Sequence, residues 1–415
     1  MNLRWRSAAA ALCASGLLAA CTTAPNPYYD ASRKHHRPEG FQDNYVEFKP
    51  KNFFTDVLLG WQLPSWFKGL PPAPEAPPPV VAPDLAFIRA NTGESAQPAA
   101  TFIGHATVLL QVPVAHGGLN VLTDPVFGER ASPFSFAGPK RFQPPGVALK
   151  DLPHIDLVLI SHNHYDHLDE GSVKALNAQA GGPPLFVVPL GIAPWLAERG
   201  IANAVELDWW DSVTLPATTA GPLQASQVRI ERNGAGIATG ASNTSGTPST
   251  ASTPEAVQVF LTPAQHWSAR GLGDRMQTLW GGFALLSPRM HVFYSGDTGY
   301  SKDFADIQAR LAPRQGNAQG GGFDLALLPV GAYEPRWFMK DQHVNPDESV
   351  RVHRDLHAKR SLGVHWATFS LTDEALDQPP RDLAAARKAQ GLADDAFFTL
   401  AIGETRKLPA RQATP

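Results

Sequence analysis

Ser161-His162-Asn163-His164-Tyr165-Asp166-His167 follows directly on the apolar run Ile155-Asp156-Leu157-Val158-Leu159-Ile160. The run reads as a buried strand, and a helical pattern over 168–176 comes just after the histidines. While the chain stays extended past the strand, His162 and His164 point to one side, because side chains alternate. Asp166 and His167 then fall where the helix would begin. Two directions of approach suit two adjacent metal ions. A chance His-rich surface tract would lack this placement at a strand end.

Three further groups stand in the same context. His266 follows the run 257–261, Asp297 follows 291–294 and His365 follows 361–364. Loops at one rim of a sheet are where functional groups are displayed, so the four segments can converge on one site. The only cysteines, Cys13 and Cys21, lie within the first 21 residues, which leaves no disulfide framework and no Cys-based zinc site. Imidazole and carboxylate without thiolate match Zn²⁺, with Mn²⁺ or Fe as alternatives. Strand-like runs at 107–112, 155–160, 228–231, 257–261, 291–294 and 325–329 alternate with turns and helical stretches, so the fold class is α/β or α+β.

A chain of 415 residues that is 43% apolar buries a large core. Lys and Arg number 35 against 38 Asp and Glu, without a polybasic run, so nucleic acid is not an expected partner. Arg4 and Arg6, the uncharged stretch 8–20 and Leu18-Ala19-Ala20-Cys21 read as a secretory signal over 1–20, too short for a membrane span. Residues 21–99, Pro-rich around 71–83 and aromatic around 53–67, read as a tether followed by a docking segment. Residues 100–415 form the catalytic domain, with a Gly/Ser/Thr-rich stretch at 233–255 expected as a disordered hairpin insertion.

His162-x-His164-x-Asp166-His167, His266, Gly296-Asp297-Thr298-Gly299 and His365 resemble the full ligand set of the metallo-β-lactamase superfamily, an αββα sandwich of two mixed sheets flanked by helices. That resemblance implies two Zn²⁺ per chain: one on His162, His164 and His266, one on Asp166, His167 and His365, and Asp297 bridging. Closer similarity is to the N-acylphosphatidylethanolamine phospholipase D family. It is carried by Ile103-Gly104-His105-Ala106-Thr107-Val108, Leu122-Thr123-Asp124-Pro125, Gly138-Pro139-Lys140-Arg141-Phe142, Leu207-Asp208-Trp209-Trp210, Gln265-His266-Trp267, Gly331-Ala332-Tyr333-Glu334-Pro335-Arg336-Trp337-Phe338-Met339-Lys340, Gln342-His343-Val344 and His365-Trp366. It spans about residues 100–405. Leu18 to Cys21 resembles a bacterial lipobox, which implies lipid on Cys21 and, with Thr22 next, an outer-membrane anchor facing the periplasm.

These resemblances imply a phosphodiesterase that hydrolyses N-acylphosphatidylethanolamine to phosphatidic acid and an N-acylethanolamine through metal-activated hydroxide. Asp166 is an expected catalytic group and metal ligand. Gln342 and His343 match the family's substrate-contacting pair, with His343 the proton donor to the leaving oxygen. The expected partners are a phospholipid and the membrane, with a homodimer as the oligomeric option. A lactone, sugar phosphate or β-lactam is the alternative substrate, since fold and ligands do not fix it. No Gly-x-Ser-x-Gly elbow is present, and His357-Ala358-Lys359 lacks the Asp that completes the other phospholipase D motif, Val364 standing there. The non-enzyme alternative is an envelope lipoprotein with structural zinc, but seven ligands over two ions leave positions open for water. Among lesser residues, His105 supports the site from a neighbouring strand, Tyr165 and Trp267 flank it, Trp337, Phe338 and Met339 are core or acyl-groove residues, and His353 and His357 lie on a solvated helix face.

Overall fold

A computed structural model describes residues 25–47, 53–114, 117–216, 221–232, 256–271, 273–316 and 321–411. The leader 1–20, Cys21 and the insertion 233–255 lie outside these residues. After a short hairpin of β1 (His36–Arg37) and β2 (Gly40–Phe41), two large sheets form. The first contains β3 (Ala99–Gly104), β4 (Thr107–Val114), β5 (Gly117–Thr123), β6 (Leu157–Leu159), β7 (Leu185–Pro189), β8 (Ala204–Leu207) and, at its edge beside β3, β17 (Thr405–Lys407). The second runs in the order β10 (Arg229–Glu231), β9 (Ser212–Leu215), β11 (Val257–Thr262), β12 (Gly282–Ser287), β13 (Met290–Tyr294), β14 (Leu325–Pro329), β15 (Ser361–Val364), β16 (Phe397–Phe398).

Each sheet is antiparallel in one half and parallel in the other: β5 to β8 and β13 to β16 are the parallel runs. Parallel strands need crossovers, and the helices Glu170–Asn177, Ile192–Ala197, Asp303–Gln315 and Pro346–Asp355 supply them. The sequence of β6 shows why its strand is buried on both faces. Leu157 and Leu159 join the core between the sheets, whereas Val158 and Ile160 join the core beneath the helices with Val173, Leu176 and Ile192. The architecture is the expected αββα sandwich, and the ligand candidates follow the carboxyl ends of its strands, where open α/β sheets place their sites.

Three expectations change. Residues 25–47 are not a tether but a strap folded onto the domain. Phe41 is fully buried in the main core, Arg33, His35 and His36 all contact the Asp208 carboxylate at 2.6–2.9 Å, and the Phe41 N–H donates to Met276 O. A polar, Pro-containing stretch gives no period by which such docking would show in sequence. Second, β10 and β11 both pair with β9 and not with each other, so the connection 233–255 does not close a hairpin between its flanking strands.

Third, His353 is buried, its Nδ1 2.8 Å from Ser361 Oγ and its ring stacked on Phe397, while His357 lies beyond the helix at φ 51°. Burial, then the neighbouring Arg354, lowers the His353 pKa from its ordinary 6.5 to about 4. The unfolded chain therefore binds the proton first, so stability present above pH 6.5 is lost as pH falls toward 4. His353→Gln is expected to narrow the gap between urea midpoints at pH 7 and pH 5; an unchanged gap would refute this linkage.

Candidate metal centre

The seven candidate ligands meet at the rim between the sheets. The loop after β6 brings His162, His164 and His167, all but His164 fully enclosed. Gly296, at φ 59°, lets the loop after β13 approach Ser161 so closely that a Cβ there would lie 2.6 Å from the serine Cβ. Asp297 is thereby pushed into the centre. Its Oδ2 lies 3.0 Å from His167 Nε2, 3.1 Å from His365 Nε2 and 3.9 Å from both His162 Nε2 and His266 Nε2. His162, His164 and His266 cluster on one side, with His164 Nδ1 2.8 Å and 3.3 Å from the Nε2 atoms of His162 and His266. Asp166, His167 and His365 cluster on the other, with Asp166 Oδ2 3.4 Å and 3.3 Å from the two imidazoles.

Nitrogen atoms facing one another this closely, away from water, fit cations better than hydrogen bonds. His167 Nε2, His365 Nε2 and His164 Nε2 are buried with no hydrogen-bond partner, the mark of donors that await an ion. Three of the rings are tied down from outside at the opposite nitrogen. His162 Nδ1 pairs with Ser161 Oγ at 2.9 Å, His167 Nδ1 with Asp124 at 2.6 Å and His266 Nδ1 with Gln342 O at 3.0 Å, which leaves each Nε2 lone pair pointing inward. His105 reaches Asp166 Oδ2 at 3.0 Å, which fills the supporting role expected of it.

Electrostatics agree with this geometry. Burial pushes His164 down to about 3 and His266 to about 4, so both are neutral, ligand-ready imidazoles at pH 7. Burial raises the carboxyls of Asp166 and Asp297, but the surrounding histidines, His167 foremost, outweigh it and hold both well below the usual carboxylate range. Burial likewise lowers His167, yet Asp297 and Asp166 overcome it and hold that ring well above its ordinary value. A cation between these groups would take over the role of the shared protons.

His343 lies at the centre's edge, its Nδ1 4.0 Å from Asp297 Oδ2 and without a hydrogen-bond partner. Gln342 lines a cavity of about 680 Å³ whose wall also includes Val57, Trp61, His266, Trp267 and Phe338. Met339 is buried, whereas Trp337 is half exposed. Trp267 packs edge-on against His164, and Tyr165 donates to Arg270 O while the Arg270 guanidinium covers its ring. Asp124 belongs to the string Leu122-Thr123-Asp124-Pro125, which in sequence gives it no role of its own. It proves to be the buried hub of the loop after β6, accepting from Ser161 N, Ser161 Oγ, His167 Nδ1 and Tyr294 OH. Asp43, from the strap, accepts from His266 N at 3.0 Å, a contact across 223 positions that no local signal announces.

Residues 119–366 match the family described as the Beta-lactamase superfamily domain. The chain belongs to the metallo-β-lactamase superfamily. Within this superfamily it is 37% identical over 318 residues to N-acyl-phosphatidylethanolamine-hydrolyzing phospholipase D 1 of Caenorhabditis elegans, covering 74% of each chain. It is 32% identical over 284 residues to the mitochondrial N-acyl-phosphatidylethanolamine-hydrolyzing phospholipase D of Saccharomyces cerevisiae, covering 68% of this chain and 51% of that one. Among solved structures, the isothiocyanate hydrolase from Delia radicum gut bacteria superposes with a TM-score of 0.51 at 18% identity, over 75% of this chain and 99% of that one, and shows the shared fold. This superfamily member is thus a metal-dependent hydrolase, with His/Asp clusters able to hold metal.

Proposed function

We propose that the protein is a zinc-dependent phosphodiesterase that cleaves the head-group bond of a phospholipid, with N-acylphosphatidylethanolamine yielding phosphatidic acid and an N-acylethanolamine. The observation that carries this reading is the largely apolar cavity that has His266 in its wall, a residue of the clustered imidazoles and carboxylates. A lipid needs both features at once. The two relatives that share this family's strings, named for hydrolysis of that lipid, support the choice.

Two zinc ions held by His162, His164 and His266 and by Asp166, His167 and His365 would lower the pKa of a water and offset charge gathering on a phosphodiester. The chain's own residues do the rest. Asp297, between the two clusters, keeps their positive charge compensated. Val57, Trp61 and Phe338 hold an acyl chain out of water and so fix the head group against the centre. Burial keeps His343 well below its ordinary pKa, so it meets the substrate as a neutral ring whose N–H donates a hydrogen bond to the leaving oxygen. The hydrogen bond stabilises the departing oxygen, which takes its proton from water, so that one water in all is split between the phosphate monoester and the alcohol.

Metal analysis of the purified protein is expected to find two zinc ions per chain, with chelator abolishing turnover and Zn²⁺ restoring it. Incubation with N-acylphosphatidylethanolamine should release phosphatidic acid and N-acylethanolamine. A zinc-replete protein that releases neither would sink the substrate assignment. Membrane attachment through lipid on Cys21 belongs to the same reading; labelled palmitate is expected to enter the wild-type protein and not Cys21→Ser, and incorporation by the variant would refute it.

A further inference from the structure

The stretch Phe53–Gln62 continues into the helix Leu63–Phe67, and over these residues Asp56 is the only charge. One side of it works inward. Val57 and Trp61 line the cavity, the Trp61 ring meets Phe338 at 4.8 Å, and Trp61 Nε1 and Ser65 Oγ both donate to the Asp373 carboxylate. The outward side carries no charge and, besides Thr55 and Gln62, exposes three large apolar side chains: Leu59 is 58% exposed, Trp66 71% and Phe67 80%. Trp337, 50% exposed, extends this surface, because a Cβ on Gly60 would lie 3.6 Å from its ring. A surface helix normally turns charge to water, and a helix apolar on both faces requires a second apolar partner.

We infer that this segment is a membrane-docking helix whose outer residues Leu59, Trp66 and Phe67, with Trp337, enter the lipid interface and set the cavity against the bilayer. Aromatic residues favour that boundary, where one part of the side chain is apolar and the other wet. Lys68 and Lys340, both exposed, border the patch and suit anionic head groups. The leash supports the same occupant. Asn26 donates to Gly40 O and Gly40 lies against Met276, next in sequence to Arg275 of the cavity wall, while the five residues from Asn26 back to Cys21 span at most about 18 Å from Asn26. Substrate would then pass from the bilayer along Val57 and Trp61 without crossing water.

The inference rests on the phospholipase reading but is tested apart from it. The full chain carrying Cys21→Ser, with and without Leu59→Ser, Trp66→Ser and Phe67→Ser, is sedimented with vesicles of phosphatidylcholine and phosphatidylglycerol. The triple variant is expected to lose about a hundredfold in vesicle affinity. Its turnover of a short-chain phosphodiester dispersed below its micelle concentration should equal the parent's. Phe67→Glu alone serves should the triple variant misfold. Equal vesicle binding by parent and variants, or no binding by the parent, overturns the inference. A parent dimer that becomes monomeric in the variant, with vesicle binding unchanged, would instead assign the patch to a second copy and also overturn it. Patch-dependent binding without any hydrolysis would leave docking standing and remove the phospholipase reading.

Discussion

Asp297→Asn is expected to lower turnover by about a thousandfold or more while the fold is retained. The Asp297 Oδ2 atom sits between the two imidazole clusters, within 3.0–3.9 Å of four ring nitrogens. An amide of the same size fills the space but brings no charge and is a poor ligand, so two divalent ions held by the adjoining clusters would repel without compensation. The zinc content should fall below two per chain. Circular dichroism should be unchanged, because the main-chain turn at Gly296 places residue 297 whatever its side chain. Wild-type rates with full zinc content would remove the bridging role.

Asp124→Ala should be costlier to the protein itself. Asp124 holds no metal in this reading, yet it is fully buried and collects four donors, from Ser161 twice, His167 and Tyr294. Truncation strands all four away from water, at an expected cost of about 3–5 kcal/mol in unfolding free energy. The His167 ring also loses the bond that orients it, so zinc affinity should weaken by about 10- to 100-fold. Asp124→Asn, which retains an acceptor oxygen, should fall between. Urea denaturation and competition with a zinc chelator would check both effects. A variant as stable as the parent would mean that water replaces the carboxylate and that the hub is not structural.

What the sequence determined by itself was local. His162, His164, Asp166 and His167 lie within six positions after a strand, so strand alternation and the start of the next helix suffice to aim them. His266, Asp297 and His365 were legible because each follows an apolar run that became β11, β13 or β15, and strand ends in this architecture share one rim. Tertiary structure decided everything that depends on distant contact. Asp43 reaches His266 N across 223 positions and Tyr294 reaches Asp124 across 170, and a pairing over such spans leaves no period in the chain. The strap was misread for that reason: its polar residues look solvated until Asp208 supplies their partner. The hydrophobic pattern selects which face of an element is buried, but only the closed fold decides which buried polar atoms meet.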